Sequence, residues 1–175
     1  SQVSVLTTSQ LNALTNINKI DPADLAVVSA TSLNKLTSAQ LANLSTAQAN
    51  ALTASQIKAL STVQISQLEA ADIGALNTAA IVSLTTAQLV ALTTAQARQM
   101  TSEQVVALSA TQLSAMEGAD LAALTTSSQQ AFSQSQLAKL SSSQLAAMTG
   151  LSSAQSTGGT YSIMSSADIR GMSTS

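Results

Sequence analysis

From Ile20 to Met172 every eighth residue is apolar save Ser156, and the residue after it is nearly always one that caps helices. The apolar column runs Ile20, Val28, Leu36, Leu44, Leu52, Leu60, Leu68, Leu76, Leu84, Leu92, Met100, Leu108, Met116, Leu124, Phe132, Leu140 and Met148, then Met164 and Met172. Such a register over most of a chain means one small unit stacked many times. In the octad that starts at Leu84, Thr85 and Gln88 have the spacing of a capping box, and Leu84 and Leu89 occupy the two positions of a hydrophobic staple. The same phase recurs from Leu92 and from Leu108. Of the 20 cap positions between Asp21 and Ser173, 18 hold Ser, Thr, Asp or Asn, with Glu69 and Glu117 as exceptions, so a helix start is expected in every octad. The fourth helical position (N4) is large and apolar in 15 of 19 octads and fails at Ala49, Ala97, Gln129 and Ser153.

Three features not used to set this register agree with it. The lone proline, Pro22, falls at N1, where its missing N–H costs nothing. All eight acidic residues lie at a cap or in a first turn, and five of the six basic ones lie in a last turn, as the helix dipole favours. The pattern therefore predicts helices of about six residues, each ended by the next cap. One continuous helix is the main rival, but at ~100° per residue an eight-residue stripe would spiral around the rod and could not bury itself. A β-solenoid would send Leu84 and Leu89, five apart, to opposite faces. Two aliphatic side chains and a cap cannot offset the entropy of ordering an octad, so the units must bury their apolar faces on several neighbours. The expected fold is all-α: a solenoid or superhelix of very short capped helices, with its hand and its number of helices per turn left open.

A second period overlies the first. Asp24, Asp72, Asp120 and Asp168 replace Gln at the third helical position (N3), six octads apart each time. The following octads also lose Gln, to Ser32, Ala80 and Ser128, and Ala49 and Ala97 keep the same spacing. The chain divides into super-repeats 20–67, 68–115 and 116–163, with a fourth starting at Met164. This period is accounted for either by duplication history alone or by six helices completing an integral number of superhelical turns, which would bring equivalent faces into line. The register slips between Leu14 and Ile20 and again over 149–163, where Gly150, Gly158 and Gly159 predict an irregular loop containing a displaced cap at Ser152 and Gln155.

Composition then narrows the chemistry. Six basic and eight acidic residues leave a net charge of −2, which argues against nucleic acid. Neither Cys nor His is present, which removes the usual transition-metal ligands and the commonest catalytic base. No apolar run is long enough for membrane insertion. The opening Ser1-Gln2-Val3 is neither a start methionine nor a signal peptide, so the chain reads as one array from a longer protein. The weak metal candidates are Asp24, Asp72, Asp120 and Asp168, as a carboxylate row for Ca²⁺; the plainer account is that Asp stands for Gln where a helix start favours it. Paired threonines such as Thr85-Thr86 resemble ice-binding arrays, yet the first of each pair already caps a helix. Val82, Val90 and Val106 share the sixth position counted from the cap and form a modest apolar stretch suited to self-association. No cofactor is implied, and no nucleophile has a base beside it, so an enzyme is not expected.

The strings Leu84-Thr-Thr-Ala-Gln-Leu-Val-Ala-Leu-Thr-Thr-Ala-Gln96 and Thr101-Ser-Glu-Gln-Val-Val-Ala-Leu108 resemble the L-T-x-x-Q-[ILV]-x-A octapeptide arrays of large, repetitive bacterial surface and secreted adhesin-like proteins. That resemblance covers nearly the whole chain. It implies a bacterial, extracellular or cell-surface protein with a stalk, spacer or filament role, and it transfers no catalytic or binding residue. Copies are then expected to associate head-to-tail or laterally. The alternative is a binding module whose solenoid face recognises a glycan, ice or a protein.

Overall fold

A computed structural model describes residues 16–152 and 155 of the chain. After a 3₁₀ turn, Ile17–Lys19, the first helices are α1 (Pro22–Ala26), α2 (Ala30–Leu33), α3 (Ser38–Ala42), α4 (Thr46–Ala51) and α5 (Ala54–Ala59). Then come α6 (Thr62–Gln67), α7 (Ala70–Ala75), α8 (Thr78–Val82), α9 (Thr86–Val90), α10 (Thr94–Gln99) and α11 (Ser102–Ala107). The series closes with α12 (Ala110–Ala115), α13 (Gly118–Ala123), α14 (Thr126–Gln130), α15 (Gln134–Leu137) and α16 (Ser142–Ala147). The described residues contain no strand and no helix longer than six residues, so both the long-helix and the β arrangements are ruled out.

Each helix starts where the octad puts a capping residue. Side chains of Ser, Thr, Asp or Asn accept first-turn N–H groups from α1 to α16, with α7 and α13 lacking a side-chain cap because Glu69 and Glu117 stand there. Nine of the sixteen described helices end on an extended C-cap residue, the other seven end on a right-handed or bridge-region one such as Val27 or Ala91, and none ends on a left-handed residue. Among the extended ones, Leu52 has φ −61° and ψ 136°, and Thr53 after it φ −85° and ψ 159°. Two successive extended residues turn the chain into the next helix. No positive φ occurs among the described residues, so a Leu-Thr or Leu-Ser pair serves as the corner and no glycine is required.

The packing repeats every third helix. Helix α1 packs on α4, α4 on α7, α7 on α10, α10 on α13 and α13 on α16. The series α2–α5–α8–α11–α14 and α3–α6–α9–α12–α15 pack in the same way. Three octads therefore make one turn of a three-sided solenoid, and each side is a stack of parallel short helices. The six-octad super-repeat is two such turns.

Two columns of the octad form a single core. N4 side chains such as Leu41, Ile57, Ile65 and Leu89 have no exposed surface, and the corner residues from Val28 to Met148 are buried nearly as fully. The two-turn period is legible inside this core. Turns carrying Asp at N3 on the first stack have Leu25, Ile73 or Leu121 at N4 there; of the intervening turns, two pair Gln48 with Ala49 and Gln96 with Ala97, and the last pairs Gln144 with Leu145.

At Ile17 the register slip takes physical form. This residue is buried, opens the 3₁₀ turn Ile17–Lys19 and lies three positions before Ile20, the spacing that separates an N4 residue from its corner elsewhere. Of the loop expected over 149–163, residues 149–152 are non-helical, and Ser152 and Gln155 make the displaced cap. The rest of that loop and the fourth super-repeat from Met164 lie outside the described residues.

Gly74 tests this packing. A Cβ built there would lie 2.7 Å from the Gln99 carbonyl oxygen on α10, the next helix in the stack, while one at Gly118 would meet nothing nearer than 3.7 Å. Gly74→Ala should destabilise the chain by about 1–3 kcal/mol through overpacking. Gly118→Ala should be neutral or stabilising by up to ~1 kcal/mol. Denaturant titration of the two variants checks the contrast.

Candidate functional site

The polar chemistry of the chain is concentrated at its corners, and Gln at N3 organises it. Gln96 is 1% exposed and works in two directions. Its Oε1 accepts the Thr93 N–H at 2.9 Å, closing the capping box of α10. Its Nε2 donates to the carbonyls of Ile65 at 2.8 Å and Leu68 at 2.7 Å, the N4 and corner residues at the end of α6. One side chain thus caps the start of its own helix and the end of a helix one turn below.

The same two-way bond recurs down the array. Gln48 donates to Ile17 and Ile20, Gln56 to Leu25 and Val28, Gln88 to Ile57 and Leu60, and Gln104 to Ile73 and Leu76. Gln64, Gln112, Gln136 and Gln144 also donate to the corresponding corner one turn below, at Leu36, Leu84, Leu108 and Met116. The displaced Gln155 reaches the carbonyls of Gln129 and Phe132, closing the same kind of corner from a shorter loop.

Where Gln is missing on the second stack, another donor substitutes. Asn77 caps α8 through Oδ1 and donates Nδ2 to the carbonyls of Asn50 and Leu52. The Ser128 hydroxyl donates to the Met100 carbonyl at 3.0 Å. On the first stack the substitute is Asp. The structure places Asp24, Asp72 and Asp120 on this one stack, on alternate turns, with Gln48 and Gln96 between them. Asp72 and Asp120 are buried, Asp24 is half-buried, and Asp168 lies outside the described residues.

Burial, with Glu69 adding to it, pushes the Asp72 carboxyl up to about 6. Burial also raises that of Asp120, and Glu117 adds to it, while a hydrogen bond from Thr94 opposes the shift. Among the described residues no three Asp or Glu side chains come together in a group that could hold a metal ion.

The remaining candidates fall on the outer surface. Val82 and Val106 are 41% and 56% exposed and lie on adjacent turns of the second stack, whereas Val90 is on the third. Thr85 is engaged with Gln88, so its hydroxyl is part of a cap. A shallow polar cleft beside the α7–α8 corner is lined by Asn50, Gly74, Asn77, Thr101, Glu103 and Gln104. Both asparagines, Thr101 and Gln104 already hold helix ends, which leaves no aligned nucleophile and base in it.

Capping logic alone misses the second role of Gln. A signal for it is present: Glu completes a capping box as well and suits the helix dipole better, yet no N3 position in the array holds Glu. An amide offers an acceptor and a donor together, whereas an ionised carboxylate only accepts. Gln129 likewise shows in the sequence only as a gap in the apolar column. Buried at N4, it donates to the Leu124 carbonyl and accepts the Gly150 N–H at 2.7 Å, so it anchors the start of the loop.

Gln96→Ala would strand the Thr93 N–H and the two carbonyls below it, and should cost about 3 kcal/mol in denaturant unfolding. Gln96→Glu keeps the shape but sets a carboxylate against two carbonyls. It should be worse than Ala at pH 7 and recover at pH 4, where a protonated carboxyl regains one donor.

Residues 17–54 and 65–102 each match the ALTTAQ repeat family, and the two matches start six octads apart, the length of two turns. No curated protein and no solved structure matches the chain. The chain is thus a repeat array, two stretches of which are similar to the ALTTAQ repeat, and its described residues fold as an all-helical solenoid.

Proposed function

We propose that the chain is a non-enzymatic structural element, a rigid extracellular spacer or filament-forming segment of a bacterial surface protein. The observation that carries this reading is the use made of the buried polar groups. From Gln48 to Gln144, buried or half-buried amides are spent on joining one turn to the next, and in the polar cleft beside the α7–α8 corner Asn50, Asn77, Thr101 and Gln104 are used in the same way. An arrangement of this kind resists bending and extends by simple repetition. The likeness of the octads to bacterial surface arrays supports the setting, and the adjacent exposed Val82 and Val106 support lateral contact between copies.

A spacer makes a geometric demand. Inserting one further six-octad unit adds two turns, so the particle should lengthen by about 16–20 Å at the usual separation of packed helices. Small-angle scattering and electron microscopy of the chain with and without the insertion would show this. A maximum dimension that does not grow would count against a rod. Saturable, specific binding to a glycan array or to ice by the unmodified chain would replace the spacer by the binding-module alternative.

A further inference from the structure

We infer that Asp72 and Asp120 form a proton-operated seam along the first stack, where a carboxyl that gains a proton supplies the donor an amide supplies on intervening turns. On every other turn of that stack Gln48, Gln96 and Gln144 donate N–H groups into the corner beneath. On the second stack, Asn77 and Ser128 keep a donor where Gln is absent. Asp alone brings an acceptor to this place. The register sets Asp72 over Leu41 and Leu44, the N4 and corner residues whose equivalents elsewhere give their carbonyls to a glutamine. Asp72 is 2% exposed, and its Oδ2 is buried without a hydrogen-bond partner. An ionised oxygen buried without a donor is costly, and a proton makes that oxygen a donor of the kind the amide supplies on intervening turns.

The charges around it favour the proton. On its own helix Glu69 repels a second negative charge. Helices α3, α4 and α6 carry no titratable side chain, and α10 carries only Arg98, in its last turn and so at the far end from Asp72 in the first turn of α7. Asp120 repeats the arrangement, with Glu117 on its helix and Arg98 at the far end of α10. Helices α9, α12 and α16 beside it bear no titratable group. The Thr94 hydroxyl donates to Asp120 and partly satisfies the ionised form, so Asp72 is the stronger element.

The sign follows from linkage. A carboxyl whose folded value lies near 6, against an ordinary 3.8, adds stability that is complete below 3.8 and is lost as pH rises through 6. The unfolding equilibrium constant of the full chain should fall roughly 30-fold from pH 7.5 to 4.5 on account of Asp72 alone. Denaturant unfolding across that range tests it, with the ¹³C carboxyl shift of Asp72 followed in the unmodified protein. Asp72→Asn should remove most of the pH dependence and hold the chain near its acid stability. Glu69→Gln should move the transition to lower pH without abolishing it, a shift that a purely packing role would not produce. A carboxyl resonance that titrates below pH 4.5, or an Asp72→Asn variant with the full wild-type slope, would overturn the seam. So would an equal gain from added Na⁺ or Ca²⁺ at pH 7.5, which would make the occupant a metal cation.

Discussion

A six-residue helix is almost all ends. Its first four N–H groups and last four carbonyls find no partner within the helix, so nearly every backbone polar group must be satisfied from outside. Burying sixteen such helices against one another would strand dozens of these groups if packing were the only interaction. The octad meets the problem with one side chain. Each amide takes an N–H at the start of its own helix and gives hydrogens to the carbonyls that end a helix one turn below. Three-sidedness, parallel stacking and the three-octad turn are all compatible with that reach.

Stacking and capping use the same atoms, so among the described residues the amides at the corners are engaged by neighbouring turns. The exception is the first stack, where a carboxyl sits in place of an amide on alternate turns. Its placement follows the same two-turn rhythm as Ala49 and Ala97 in the core. Between α1 and α13 of that stack the small core residues therefore alternate with the acidic ones, so the super-repeat is visible in the packing as well as in the sequence.

Much of this is legible in the residues. Caps, helix phase, the solenoid class and the irregularity at Gly150 follow from local rules, since each depends on near neighbours within or beside a single octad. The number of helices per turn does not follow, because it is set by contacts three octads apart whose geometry no octad encodes by itself. The donor role of Gln lies hidden for the same reason: its partners belong to the turn below. Asp24, Asp72 and Asp120 can be named as a series, but only the three-sided turn shows that they share one side and that glutamines separate them. Gln129 looks like a failed core position, and its partner Gly150 lies across an irregular segment that periodicity could not anticipate.

The three-sided turn has a consequence for how such arrays grow. Gaining or losing a single octad would leave every local cap intact yet pass each later helix to the neighbouring side, so acidic residues would leave their common edge and small core residues would meet the wrong layers. Only steps of six octads preserve side and layer together. Recombination between tandem copies would then yield well-formed products in whole super-repeat increments, and arrays of different lengths would inherit the same alignment of faces.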